Sequence, residues 1–492
     1  MRNNLINLQT DFLIVGGGTI GLFLFNELKK LNKKVILIEK GSKDAKLKKT
    51  KDIISRKIFH KGTFNKRAFG IGGNSTLWGG QLVEFLDQNQ EKQRYELGLK
   101  KNELNNLYRQ LYKIFEIKKV SAKEYLKKNN LKFNNKEIKY FFSNWLKEPN
   151  FAKYYKEILS EYAEDIFLNS KINKINFINK NIKSIEVTHK NKKLLVETKK
   201  CIITMGTIET IKFFLKNKKK FNLSNKVGEY FQDHVGIFAG DVEIIDKKKF
   251  SQFFENGIIH NSKYQPKLFY QELKNEYSLG ASGEFKFYSK HNFELSMLKK
   301  NLRNFLKYKS VYDLLNVIKY TFKLNFKILS LIYLFIFNKK IKSFYDKGIK
   351  FYIQSEQIPL SKSCIKFNDS KKKFVQSWEI DGKELDFIKN FAIKTNKILK
   401  KEKIAKINLT KFLKLNQTDF KKILRDTNHP AGGLILRNKK REGVVDKNFR
   451  IYGVNNMFVI GSCLFSKSSF ANITFTTLAL ALKFINRVKS NV

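Results

Sequence analysis

The chain has 492 residues, 42% of them hydrophobic and 14% aromatic, which excludes a disordered chain and supplies apolar surface enough for two packed domains. Its 97 Lys+Arg against 44 Asp+Glu give a formal net charge of +53. The lysines are spread along the whole length among abundant Asn, Ile and Phe, which marks a compositional bias, so no nucleic-acid partner is expected. Cys201, Cys364 and Cys463 are far apart and form no CxxC pair, so neither a disulfide framework nor a zinc site is expected. No basic-then-apolar leader precedes the first strand, which begins near Asp11, and a cytoplasmic location is the expectation.

In chain order, Asp11 to Val15 (DFLIV) is a short apolar run of the kind that forms a buried parallel strand. It enters Gly16-Gly17-Gly18-Thr19-Ile20-Gly21, a GxGxxG sequence, and Leu22 to Leu31 follows with helical periodicity. Lys34 to Ile38 is a second apolar strand, ending on Glu39. Gly16 permits the tight turn, Gly18 lets backbone approach a pyrophosphate, and Gly21 lets helix and strand pack closely. Amides at the helix N-terminus favour the anion, and Glu39 stands where a carboxylate accepts hydrogen bonds from adenosine ribose hydroxyls. At this point the site is a dinucleotide site, open to either FAD or NAD.

Five further segments carry a resemblance. They are Gly70 to Gln81 (GIGGNSTLWGGQ), Cys201 to Thr210 (CIITMGTIET), Val227 to His234 (VGEYFQDH), Asp426 to Asn438 (DTNHPAGGLILRN), and the run from Gly443 through Met457–Ser462 (MFVIGS) to Ala471-Asn472-Ile473-Thr474. Together they resemble the glucose-methanol-choline (GMC) oxidoreductases, which oxidise alcohols and sugars with FAD, over roughly half the chain. The resemblance implies an α/β fold: a Rossmann-like FAD-binding domain in three ββα layers, and an α+β substrate domain with a mixed or antiparallel sheet. It implies that Gly16, Gly18, Thr19, Ile20, Gly21, Glu39, Lys40, Gly72, Gly73, Asn74, Ser75, Trp78, Gly206, Gly461, Ser462 and Ile473 hold FAD. Some relatives attach FAD through a histidine in Ser-Thr-His-Trp; here the sequence is Ser75-Thr76-Leu77-Trp78, so non-covalent FAD is expected.

Alcohol oxidation sends a hydride from carbon to flavin N5 while a base takes the hydroxyl proton, and histidine titrates in the right range for that base. The resemblance places the base at His429 and, beside it, Asn472 as the group that hydrogen-bonds the substrate oxygen. Alone, His429 would read as a turn histidine beside Pro430, and Asn472 as the N-cap of the terminal helix. Two departures stand out: His429-Pro430-Ala431-Gly432-Gly433-Leu434-Ile435-Leu436 replaces the family's HxxGTxRM, and Asn472-Ile473-Thr474 its Asn-Pro-Thr. Loss of the Thr and Arg implies a less polar pocket. His234 reads as structural, and His60, His189, His260 and His291 as surface or core. No HxxxH or carboxylate cluster indicates a metal, and no GxSxG elbow a hydrolase.

The FAD domain is expected from 1–85, 160–235 and 425–492, a helical excursion from 86–159, and the substrate domain from 236–424 with strands near Gly236–Ile245, Ser282–Tyr288, Ile349–Gln357 and Cys364–Phe367. Leu302–Tyr345 reads as a helical insertion. It contains Ile328–Phe337, too short for the roughly 18 residues of a spanning helix, which suits a buried or lid helix or peripheral contact with an anionic inner membrane face. The expected partners are a small-molecule alcohol or sugar and an electron acceptor: oxygen, quinone or a protein. Two other readings remain: a flavoprotein of another reaction class, and a peripheral membrane or polyanion-binding protein that keeps the flavin fold as scaffold.

Overall fold

The computed structural model describes residues 5–65, 67–85, 96–133, 135–259, 262–273, 278–324, 340–341 and 344–490. Strand Ile6–Val15 lies inside a seven-stranded sheet, parallel to Val35–Ile38 on one side and to Lys192–Ile203 on the other. Its last four residues are all buried, which is why DFLIV shows no apolar–polar alternation. Met457–Val459 adds a further parallel strand beside Lys192–Ile203, and Ser170–Ile178 and Asn181–His189 extend the sheet antiparallel. Helices Thr19–Lys30 and Thr474–Ser490 cover this sheet. The ring of Phe484, on the second helix, packs edge-on against Phe12 and Phe458, so the two ends of the chain share one core.

The second sheet is antiparallel and ten-stranded. Ser262–Leu273, Ser278–Phe287, Ile349–Ser355 and Val235–Ile244 are neighbours in it. The last three are close to strands expected from the sequence, and Ser262–Leu273 was not expected. The expected strand at Cys364 lies instead in a separate three-stranded sheet, as Cys364–Asn368. Side chains alternate across its faces. Tyr270 and Phe351 point back, onto Phe387 and Phe391 of helix Glu384–Lys401. Phe269 and Gln354 point forward, onto Phe470 and Asn472 of the C-terminal segment. The architecture is thus the expected one, a Rossmann-like layer with a second α+β unit.

One stretch differs from expectation. Residues 86–159 do contain helices Lys101–Ile114 and Ala122–Lys128, but Ile138–Trp145 is a strand paired with Ser262–Leu273 and with Gln81–Leu82. IKYFFSNW is aromatic-rich strand material that the Lys- and Leu-rich composition of its surroundings conceals. The helical insertion begins earlier than expected, as Lys290–Tyr308 and Val311–Leu324; Ile328–Phe337 lies outside the described residues. Among the described residues no helix is long and apolar enough to cross a membrane.

A Cβ on Gly21 would stand 1.9 Å from the carbonyl oxygen of Gly16, on backbone that cannot yield. Gly21→Ala is therefore expected to lose about 1–3 kcal/mol of stability by overpacking, read as a lower Tm in calorimetry.

Candidate active site

The glycine turn works as its sequence implies. Gly16 has φ +109°, and a Cβ there would meet Thr204 O at 2.8 Å, whereas a Cβ on Gly18 would have nothing within 4 Å. Gly18 therefore faces open space at the start of helix Thr19–Lys30. The second glycine segment closes on the first: Gly72 N–H donates to Gly17 O at 2.9 Å. Glu39 is buried, and its carboxylate accepts from the backbone N–H groups of Gly17 (2.8 Å), Gly41 (2.7 Å) and Gly70 (3.1 Å). Burial pushes this carboxyl upward while the three donors hold it down. Glu39 thus knits three loops together as well as lining the cleft.

That cleft has a volume of about 410 Å³ and runs from Glu39, Lys40 and Arg67 at one end to His429, Ile473 and Thr477 at the other. Of the expected cofactor residues, Gly16, Gly18, Thr19, Ile20, Glu39, Lys40, Gly73, Asn74, Gly206, Gly461, Ser462 and Ile473 line it. Gly21, Gly72, Ser75 and Trp78 do not, and each has a structural task. Ser75 Oγ donates to Gly72 O and accepts from Phe151 N–H, and Trp78 Nε1 donates to Pro149 O. At the Lys40 end the sequence reading missed a charged cluster, because its members are separated in the chain. Glu209 accepts from Arg67 (2.6 Å) and Lys212 (2.8 Å), and despite burial these cations bring its carboxyl down to about 2.

At the other end, Asp233 is wholly buried and its two oxygens accept from four residues on three segments. Oδ2 accepts from His60 Nε2 (2.9 Å) and His429 N–H (2.8 Å); Oδ1 accepts from His234 N–H (2.6 Å) and from Thr427 N–H (3.3 Å). Burial alone would raise its carboxyl, but the His60 hydrogen bond carries it below the usual range, and it stands as a carboxylate. His60, expected on the surface or in the core, is fully buried. Its Nδ1 accepts from Thr63 N–H at 2.9 Å, so the ring proton sits on Nε2 and is donated to Asp233.

The same bookkeeping assigns His429. His234 Nε2 faces Ser468 O at 3.1 Å and must be a donor; its fully buried ring has its pKa lowered to about 4 and is neutral, so its Nδ1 is an acceptor. The Thr427 hydroxyl touches His234 Nδ1 (3.0 Å), Asp233 Oδ1 (2.9 Å) and His429 Nδ1 (3.0 Å). Its one proton goes to one of the first two, the ring acceptor or the carboxylate. His429 Nδ1 is then left to donate to Thr427 Oγ1, and His429 Nε2 carries the lone pair. Burial also lowers the His429 pKa, as does the charge of Lys267, so the ring is held neutral and basic. Asp233, His234 and His429 lie close enough together to suit a metal ion, as do His60, Asp233 and Asp426. Most of their facing atoms are engaged in the hydrogen bonds just given, and Asp426 accepts from the backbone N–H groups of Lys61 (2.9 Å) and Gly62 (2.8 Å).

Asn472 is buried, and it does not cap the terminal helix as its position suggested. Its Oδ1 accepts from Gln354 Nε2 at 3.2 Å and its Nδ2 donates to Gln81 Oε1 at 3.0 Å. Its neighbours Ile473 and Thr474 bring the N-terminus of helix Thr474–Ser490 to the cleft, where exposed amides favour negative charge. The apolar Leu434, Ile435 and Leu436 are buried core residues, backed onto Ser462–Leu464 by hydrogen bonds such as Leu434 N–H to Cys463 O. Asn472 and its partners Gln81 and Gln354 are not among the residues that line the cleft; Asn472 precedes Ile473, which does.

Residues 359–481 match the family model described as GMC oxidoreductase. No curated protein matches the chain in sequence. Among solved structures, pyridoxine 4-oxidase from Mesorbium loti is similar at 12% identity over 98% of this chain and 99% of its own, with a TM-score of 0.56. A variant of formate oxidase from Aspergillus oryzae RIB40, in work on its FAD modification, is similar at 12% identity over 99% of both chains with the same TM-score. A further formate oxidase structure is similar at 13% identity over 99% of both, again at 0.56. Residues 359–481 thus resemble a GMC oxidoreductase, and the fold is similar to that of these oxidases over nearly the whole chain.

The cleft fits FAD, the cofactor of that family: open backbone at Gly18, two helix N-termini and a buried carboxylate at the ribose end are what a flavin dinucleotide requires. Gly18→Ala, whose methyl group would meet no protein atom within 4 Å, is expected to leave the Tm of flavin-free protein unchanged and to weaken FAD binding about tenfold in a fluorescence titration, because the second-glycine position is where backbone approaches the pyrophosphate. Thr427→Val should keep its flavin and lower kcat about tenfold, because the His429 proton is no longer fixed on Nδ1.

Proposed function

We propose that this protein oxidises the CH–OH group of a small-molecule alcohol with FAD, His429 acting as the base. The observation that carries this reading is the orientation of His429: a neutral ring whose Nδ1 proton is tied to Thr427, in the same cleft as the glycine turn and the terminal-helix N-terminus. Bound FAD supplies the hydride acceptor. The chain's own residues supply the rest. His429 Nε2 takes the hydroxyl proton, and Asp233 holds the His429 backbone so that the ring stays in place. Asn472, kept in position by Gln81 and Gln354, offers its second N–H to the substrate oxygen. The amides at Thr474, which line the cleft, would favour negative charge on a group held there.

Purified protein should be yellow, and its flavin absorbance should bleach anaerobically with a reactive alcohol. His429→Ala should slow that bleaching about 10²–10⁴-fold, the usual contribution of a positioned base. Equal rates would remove His429 from the mechanism. Because the base must be neutral and its pKa lies below the ordinary histidine value, kcat/KM should rise with pH through an acid limb below about 6.5 and stay level at neutral pH. The structurally similar proteins are named as oxidases, which favours molecular oxygen as the electron acceptor; an oxygen electrode during turnover would register its consumption.

A further inference from the structure

The forward face of the second sheet, which meets Asn472 through Gln354, carries a charged group with no direct contact to His429 or Asn472. Lys267 is 5% exposed and its ammonium lies 3.1 Å from Glu284 Oε2 on the neighbouring strand. Glu284, itself buried, is also paired with Lys286 and accepts from Gln265 Nε2 at 2.8 Å. One carboxylate is therefore shared by two ammonium groups, and the cluster is a net single positive charge. Among the described residues the Lys267 ammonium meets only Glu284, which leaves two of its three N–H donors unused in a buried setting.

The cluster is wired to the site. Gln265 Oε1 accepts from Gln81 Nε2 at 2.8 Å, and Gln81 Oε1 accepts from Asn472 at 3.0 Å. The charge of Lys267 is felt at both His234 and His429. A surplus cation with free donors inside a mostly satisfied polar wall is costly unless something anionic completes it. A structural ion pair would need one lysine for Glu284, and Lys286 already provides it from the rim, where its side chain is 42% exposed.

We propose that Lys267 is a specificity residue that binds an anionic group, a carboxylate or similar oxyanion, on the alcohol to be oxidised. The substrate class is then a small hydroxy acid, with its hydroxyl at His429 and Asn472 and its anion at Lys267. Gln81, Gln265 and Gln354 offer neutral partners for further hydroxyl groups. This rests on the reading of the site as an alcohol-oxidising flavin site and narrows it.

The test uses flavin-loaded protein and matched probes, glycolate against ethylene glycol and gluconate against sorbitol, with binding read from perturbation of the flavin spectrum under anaerobic conditions. The anion of each pair should bind the more tightly. Lys267→Met should weaken the anions about 10- to 100-fold, the worth of a charged hydrogen bond in a buried site, and leave the neutral partners unchanged. Glu284→Gln, which keeps Lys267 and removes the competing carboxylate, should tighten the anions. Equal binding of anion and neutral partner to the wild type, or loss of both together in Lys267→Met, would overturn the proposal. So would a shift of the unliganded flavin's spectrum and potential in Lys267→Met without any change in anion binding, since Lys267 would then face the flavin. Protein that purifies with no flavin would instead defeat the underlying cofactor reading.

Discussion

One buried carboxylate fixes the working end of this molecule. Asp233 lies between two sequence-distant loops, and its oxygens are filled by donors from His60 near the N-terminus, from its own neighbour His234, and from Thr427 and His429 near the C-terminus. A carboxylate without solvent is tolerable only when fully hydrogen-bonded, so each donor must keep its place. The backbone of His429 is held by a charge, and the side chain of His429 by a hydroxyl that the same charge orients. The geometry around His429 is thereby built from main-chain positions, which are harder to displace than side chains.

The two sheets divide the labour. The parallel sheet presents glycine turns and helix ends along one cleft, where polar backbone groups stand ready for an anionic dinucleotide. The antiparallel sheet, backed by helix Glu384–Lys401, presents a row of Gln, Lys and Glu side chains toward the Phe470–Asn472 segment. Rigid support on its far side keeps that polar wall in register, and the hydrogen-bonded chain from Glu284 to Asn472 crosses three strands. The resemblance to GMC oxidoreductases accounts for the cleft.

The basic composition has a local consequence as well as a global one. Most lysines are solvated, but Lys267 is enclosed, and its charge helps keep His429 deprotonated. At the other end of the cleft Arg67 and Lys212 hold Glu209 ionised, so a chain with a large positive surplus still buries carboxylates with partners to hand.

The sequence by itself determined the nucleotide half: DFLIV, GGGTIG and Glu39 lie within one short unit, and local spacing is enough to specify a strand, a turn and a helix end. It also pointed to His429 and to the resemblance to a flavin family, because the segments that carry it are short and contiguous. Only the tertiary structure decided that Glu39 ties three loops, that His60 shares Asp233 with His429, and that Asn472 is braced by Gln81 and Gln354. Those assignments depend on hydrogen bonds between residues far apart in the chain, and local pattern carries no information about such contacts. The strand Ile138–Trp145 and the charge of Lys267 were hidden for the same reason. An isolated aromatic run or lysine in a lysine-rich chain has no local signature, and its role follows from which neighbours the sheet brings beside it.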